Sequence, residues 1–261
     1  MPTYTHGHHE SVLRSHRWRT VENSAAYLLP HLKSGLQLLD VGCGPGSITA
    51  DFARRLGPSH VLGIDAAADI VDDARREHPG VAFAVGDVYQ LTFEDKSWDI
   101  VHAHQLLQHI SDPVAALKEM RRVVRPDGIV AARDSDYATF TWHPHDNRLT
   151  RWLTLYQEIA RANGGEPNAG RLLLSWAQAA GFRKIQPSAS AWCFATREER
   201  AWWGGLWADR MTNSAIAQQA QREHRATARE LAALADAWRT WAAATDGWFA
   251  VTHGEVICFG G

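Results

Sequence analysis

The chain has 261 residues, 45% apolar and 21% charged, the composition of an ordinary folded protein and not of a disordered one. Its 27 basic and 29 acidic side chains nearly cancel, to a formal charge of −2, which speaks against a dominant nucleic-acid or anionic-membrane surface. No apolar run approaches the ~18 residues of a membrane span.

The start, Met1-Pro2-Thr3-Tyr4-Thr5-His6, is polar and does not read as a secretory leader. Cys43, Cys193 and Cys258 lie far apart, without the spacing of a zinc site or a disulfide framework. The expectation is a cytoplasmic protein with reduced thiols.

Residues 11–18 and 21–32 predict two short helices, the second ended by Pro30 or by Lys33-Ser34-Gly35. Leu36-Gln37-Leu38-Leu39-Asp40-Val41 is a short apolar run closed by glycine, and predicts a buried strand. Ile48, Phe52 and Leu56 then share one helical face. Residues 60–65 predict a second strand, 67–77 a helix, 81–87 a third strand and 98–103 a fourth. Asp112-Pro113 opens the next helix, since Asp accepts from free backbone N–H groups and Pro loses nothing at the first helical position. A turn at Arg125-Pro126-Asp127-Gly128 leads to a fifth strand at 129–132. Strands separated by crossover helices predict parallel pairing and an α/β doubly wound sheet.

After Asp136 the pattern changes. Residues 152–162 and 172–180 predict helices, 181–185 begins a strand, and 197–245 is a long helical stretch broken near 211–214. Residues 248–259 predict a final strand around a polar Thr252-His253-Gly254 interruption. Ten of the 12 tryptophans follow residue 140, so the two parts differ in composition.

Asp40-Val41-Gly42-Cys43-Gly44-Pro45-Gly46 joins the first strand to a helix. Glycine allows a tight turn and close approach of a ligand to the backbone, and a bare helix start offers N–H donors. Asp65 and Asp87 end the next two strands, so three acids stand at neighbouring carboxyl ends, where open α/β sheets bind ligands. Each acid could also merely cap the helix that follows it. A nicotinamide dinucleotide would place an acid similarly, but its glycine fingerprint is not met, because Ser47 occupies the position of the third glycine.

The run Leu38-Leu39-Asp40-Val41-Gly42-Cys43-Gly44-Pro45-Gly46 resembles the first motif of the class I S-adenosylmethionine-dependent methyltransferases. The likeness continues through Gly63-Ile64-Asp65, Gly86-Asp87-Val88, Ser97-Trp98-Asp99-Ile100-Val101 and Glu119-Met120-Arg121-Arg122-Val123-Val124-Arg125-Pro126-Asp127-Gly128. It is strongest toward the small-molecule branch related to ubiquinone and menaquinone biosynthesis, and covers about residues 36–132.

The resemblance implies a Rossmann-like, mostly parallel seven-stranded sheet in a single domain over 1–261. An N-terminal helical lid would span 1–35 and the cofactor-binding core 36–135. Helical cap insertions would span 136–180 and 191–245, with the final strands at 181–190 and 246–261. It further implies that S-adenosylmethionine is the cofactor. Gly42, Cys43, Gly44 and Gly46 would line its methionine part, with Asp40 fixing the loop or bonding the amino group. Asp65, beside Ala66, would accept both ribose hydroxyls. Gly86 and Asp87 would meet the adenine, Val88 would cover it, and His104 and Gln105 would face the methionyl end.

A sulfonium methyl is already activated, so the protein must chiefly position an acceptor and exclude water. A general base would help a protonated acceptor, and His109, beyond the fourth strand, is the candidate; its other reading is a structural hydrogen bond. Tyr4, His8 and His9, with His6 between them, belong to the expected lid and join Trp142, Trp203 and Trp207 as candidate substrate-pocket residues. Tryptophans at helical spacing also simply build cores. Asp134, Asp136, His143, His145 and Asp146 have no fixed ligand spacing, and no metal is expected.

The expected activity is methyl transfer to a small, aromatic or apolar organic acceptor, without nucleic-acid or membrane partners; a second copy of the chain stays open as a partner. The rival readings are a nicotinamide oxidoreductase and a protein of the same fold that binds the cofactor without transferring the methyl, as a cyclase, a decarboxylase or an inactive scaffold.

Overall fold

The computed structural model of the chain describes residues 10–260. In order, its elements are α1 (Glu10–Arg17), α2 (Val21–Ser24), β1 (Leu38–Val41), α3 (Ser47–Leu56), β2 (Val61–Asp65), α4 (Ala68–Glu77), β3 (Ala82–Val85), β4 (Trp98–His104) and α5 (Pro113–Val123). They continue with β5 (Val124–Ser135), β6 (Thr141–His143), α6 (Asn147–Ala162), α7 (Leu173–Ala179), β7 (Lys184–Phe194), α8 (Arg197–Asn213), α9 (Ala215–Arg222), α10 (Ala228–Ala243) and β8 (Trp248–Phe259). Among the described residues no helix is long and apolar enough to cross a membrane.

The chain divides into two compact units. One contains His16–Ser135, Ala169–Ser190 and the residues from His253 onward; the other contains the described residues before His16, Asp136–Asn168 and Ala191–Thr252.

In the first unit the strand order is β3-β2-β1-β4-β5, parallel throughout, and β8 then runs antiparallel to β5. The order reverses between β1 and β4, which opens a crevice at the carboxyl ends. Strand periodicity separates two faces. Leu39, Val41, Val101, Ala103, Val130 and Ala132 join one core with Leu117 and Met120 of α5 and Leu173 and Ala177 of α7. Leu38, Ile100, Ile129, Ala131 and Ile257 join another with Val21 of α2 and Phe52 of α3. Toward the carboxyl ends this second face turns polar: Asp40, His102, His104, Arg133, Ser135, His253 and Glu255 are all buried there.

Four elements differ from expectation. Strand β5 continues through Arg133, Asp134 and Ser135, and β8 is unbroken through Thr252-His253-Gly254, because polar residues there find partners inside the sheet: Arg133 bonds Glu255 opposite it, and Ser135 and His253, opposite each other, both meet Gln105. Helix α7 packs with α5 in the first unit, not with the helical additions. The sheet has eight strands instead of seven, because the short β6 pairs antiparallel with β8.

The second unit is aromatic. Trp152 meets Trp207 at 4.6 Å and Trp238 at 4.7 Å, nearly perpendicular in both cases. Trp203 stacks on Phe194 at 4.4 Å, and Phe249 lies 5.2 Å from Trp238. Helices α8 and α10 approach closely at Gly204, where a Cβ would stand 2.8 Å from Ala242 Cβ and 2.9 Å from the Trp238 carbonyl. A Thr196–Glu199 capping box starts α8 and a Thr227 cap starts α10.

Truncating Trp238, fully buried in this cluster, should cost roughly 3–5 kcal/mol; urea unfolding of Trp238→Ala checks it. In the first unit, Asp134 is fully buried and its Oδ1 accepts from the Gln108 amide at 3.0 Å. Burial raises its pKa to about 7 against the opposing pull of those backbone donors and Arg133. An acid whose folded pKa is raised holds a proton that the unfolded chain releases, so stability falls as pH rises from about 4 to 7 and the penalty is complete above that. Relative to Asp134→Asn, the native protein should therefore lose roughly 2–3 kcal/mol between pH 5 and pH 8, measurable by urea unfolding at the two pH values.

Candidate active site

The glycine loop is held by backbone and carboxylate together. The Gly42 and Cys43 amides donate to the Ile64 carbonyl at 2.8 and 2.9 Å, and the Gly46 amide donates to the Cys43 carbonyl. Gly42, Gly44 and Gly46 all have positive φ, at 71°, 56° and 83°, which L side chains rarely adopt. At Gly42 a Cβ would also press on Leu106 at 2.9 Å, and at Gly46 on Phe83 at 2.6 Å, whereas above Gly44 the nearest atom is His16 Nδ1 at 3.7 Å. Two of the three glycines thus serve packing within the protein, and Gly44 alone keeps room for a ligand on its Cβ side. Helix α3 starts at Gly46 without a side-chain cap, leaving its first amides available to an anion or water.

Asp40 is buried. Its Oδ2 accepts from Thr49 Oγ1 at 2.5 Å and its Oδ1 lies 2.7 Å from His102 Nδ1. Burial first, then Asp40 and Asp65, raise the Cys43 pKa well above the usual thiol value, so the thiol stays protonated.

Asp65 ends β2 half-buried. Its Oδ2 accepts from the Gly44 amide at 3.0 Å and its Oδ1 from the Ala67 amide at 3.1 Å. A carboxylate has about four lone-pair sites, so two remain for a diol. The neighbouring Ala66 is exposed. The Gly86 amide donates to the Asp65 carbonyl at 3.0 Å, which places Asp87 beside it. Asp87 is exposed, with Oδ1 accepting from the Tyr89 amide at 2.9 Å. Val88 is buried in the core beside Val41 and Ile64.

Beyond β4 the structure gathers more than the sequence announced. Gln105, like the glycines, has positive φ, at 51°. Its amide donates to the Arg133 carbonyl at 2.7 Å. Its side chain accepts from Arg19 at 2.6 Å and lies 2.7 Å from Ser135 Oγ and 2.9 Å from His253 Nε2. Burial first, then Arg19, Arg133, His253 and His102, push the His104 pKa well below the usual imidazole range. Burial first, then Arg19, lower the His109 pKa to about 3, and its Nε2 lies 3.0 Å from Gln108 Nε2.

Arg19, Arg133, Ser135, His253 and Glu255 did not stand out in the sequence. The usable signal was two polar breaks in neighbouring apolar strands, Arg133-Asp134-Ser135 and His253-Gly254-Glu255; Arg19 carried none.

Tyr4, His6, His8 and His9 lie outside the described residues. Trp203 and Trp207 are buried in the aromatic core of the second unit. Trp142 is half-exposed and stacks on Phe249 at 5.8 Å. The acids and histidines weighed as metal ligands go separate ways: His143 meets Asp246, His145 meets Asn147, and Asp146 caps α6. Among the described residues no group of three or more His, Cys, Asp or Glu could hold a metal ion.

Comparison with known proteins agrees with this geometry. The family model described as a methyltransferase domain matches residues 39–132. An uncharacterised methyltransferase of Schizosaccharomyces pombe is 34% identical over 271 residues, covering 97% of this chain and 95% of that protein. A ubiquinone/menaquinone biosynthesis C-methyltransferase of Bdellovibrio bacteriovorus is 35% identical over 121 residues, 44% of this chain and 49% of that one. A phosphoethanolamine N-methyltransferase 2 of Haemonchus contortus, solved with S-adenosylhomocysteine, is 18% identical with a TM-score of 0.57, over 92% of this chain and 53% of that one, a likeness of fold. A relationship that runs the whole length of both chains shows the family: this protein belongs to the class I S-adenosylmethionine-dependent methyltransferases, and that compound is its cofactor.

Proposed function

We propose that the enzyme methylates a small, flat, largely apolar acceptor that bears hydrogen-bond-accepting oxygen. One observation carries this reading. In the second unit, the buried indole Nε1 atoms of Trp142, Trp152, Trp203 and Trp238 have no hydrogen-bond partner, although their rings crowd around Phe249. Buried N–H donors without partners are costly, and an aromatic oxygen-bearing molecule matches both their apolar faces and their donors. The relative from ubiquinone/menaquinone biosynthesis supports the same class.

The cofactor supplies an activated methyl on a sulfonium; the chain's own residues do the holding. We assign the ribose diol to the two open lone pairs of Asp65, the adenine amino group to Asp87, and the methionine part to the backbone around Gly44. Val88, buried beneath that loop, stiffens the adenine wall. His104 and Gln105 stand at the methionyl end, where a neutral His104 adds no repulsion to a sulfonium cation. A protonated Cys43 does not compete as a nucleophile. With His109 too weak a base, positioning and exclusion of water carry the rate.

Asp65→Asn keeps a carbonyl for the Gly44 amide but cannot accept from both hydroxyls. It should weaken S-adenosylhomocysteine binding by about 1.5–3 kcal/mol, read by calorimetry; unchanged affinity would remove Asp65 from the ribose. For the acceptor, the enzyme is incubated with methyl-labelled cofactor and a panel of phenols, hydroxyquinones, enolic diketones, aliphatic amines and aliphatic acids. Label should pass to the oxygen-bearing ring and enol compounds. Transfer confined to the aliphatic amines would sink the proposed class.

A further inference from the structure

Residues 16–19 are fastened to three elements around the glycine loop, all within the first unit. The Ser47 hydroxyl, at the start of α3, donates to the His16 carbonyl at 2.8 Å, and the Arg19 amide donates to the same oxygen at 3.1 Å. Arg17 grips Glu77, the last residue of α4. Its Nε lies 2.9 and 3.0 Å from the two carboxylate oxygens and its Nη2 lies 2.7 Å from one of them. Arg19 Nη2 donates to Gln105, just beyond β4, at 2.6 Å. The segment thus touches the helix that leaves the glycine loop, the helix that follows Asp65, and the strand end across the reversal of strand order.

These fastenings decide where one ring stands. On the Cβ side of Gly44 the nearest atom is His16 Nδ1, 3.7 Å from the position a Cβ would take, an ordinary van der Waals distance. The Gly44 amide donates to Asp65 Oδ2 at 3.0 Å. Gly44 is therefore flanked by a carboxylate and by an imidazole, and a ligand atom resting on it comes within reach of both. Gly42 and Gly46 offer no such place, because Leu106 and Phe83 fill their Cβ sides.

The Arg17 and Glu77 side chains are 35% and 31% exposed, and ion pairs that reach solvent add little to folding. What a forked guanidinium–carboxylate contact does supply is direction, since its donors and acceptors match in few geometries. Arg17 follows His16 directly, and the peptide joining them is tied to Ser47 through its oxygen. With that peptide and the Arg17 side chain both held, the His16 ring keeps little freedom beyond its own rotamer. A ligand that meets a ring already in place pays no ordering cost for it, so the apparent affinity rises with the fraction of the protein in which the segment is fastened.

Given the cofactor contacts assigned above to Gly44 and Asp65, we propose that His16 is a cofactor-binding residue whose ring walls the open side of Gly44, and that Arg17 and Glu77 are positioning residues that hold it there. A carboxylate at the end of α4 thereby becomes a determinant of cofactor affinity.

Calorimetry with S-adenosylhomocysteine on the full chain tests this. Glu77→Gln and Arg17→Gln should each weaken binding by about three- to tenfold, and His16→Ala at least as much. In the His16→Ala background, Glu77→Gln should change affinity by less than about twofold, because substitutions along one route do not add; full additivity would overturn the route through His16. A second measurement needs no ligand. Trypsin should cut after Arg17 and Arg19 of Glu77→Gln at least about twofold faster than in the native protein, since cleavage follows the population of the loosened segment. The melting temperature of that variant should stay within about 2 °C of the native value; a larger fall would make the pair a folding contact instead. Unchanged affinity in Glu77→Gln and Arg17→Gln overturns the positioning role whether or not cleavage accelerates. If Asp65→Asn weakens binding and His16→Ala does not, the ring is no cofactor contact; if neither does, the cofactor site itself lies elsewhere.

Discussion

The carboxylate of Asp40 is the brace on which the glycine-loop end of the sheet depends. It is an ionisable group sunk at the carboxyl end of β1, reached from one side by the Thr49 hydroxyl of α3 and from the other by the His102 ring of β4. Burying such a group is tolerable only when its lone pairs are met. Meeting them locks three elements at one point: the strand that enters the glycine loop, the helix that leaves it, and the neighbour across the reversal of strand order. The loop between them can then hold three positive-φ glycines in one conformation, and Asp65 can reach the Gly44 amide from β2.

The same face of the sheet turns polar at the carboxyl ends of β4 and β5 and along the antiparallel stretch of β8 beside them. Registers that would continue an apolar core are occupied by His102, His104, Arg133, Ser135, His253 and Glu255. Glu255 is met by two serines and by Arg133, and Gln105 links Arg19 to Ser135 and His253. Burial first, then Arg19 for both and Arg133 for His104 alone, lower the pKa of His104 and His109.

The second unit shows why composition is a weak guide to role. Its tryptophans form one packed body around Phe249, with α8 and α10 drawn together at Gly204. The Nε1 atoms of Trp142, Trp152, Trp203 and Trp238 are buried within it without a hydrogen-bond partner, and the acceptor class proposed above rests on them.

By itself the sequence determined the alternation of strands and helices from residue 36 to 132, the glycine loop, and the placement of Asp40, Asp65 and Asp87 at successive strand ends. These signals are local: apolar runs of fixed period, glycines at a turn and acids at a fixed phase all lie within a few residues of one another. Only the tertiary structure decided that Asp40 is a brace, that Gly42 and Gly46 answer to Leu106 and Phe83, that α7 belongs with α5, and that β8 runs unbroken. It alone brought Arg19, Gln105, Arg133 and His253 into one string, with Gln105 separated from His253 by 148 positions. Polar residues inside a strand look like its end until their partners are known. Those partners sit on other strands at matching register, and register is a property of the folded sheet.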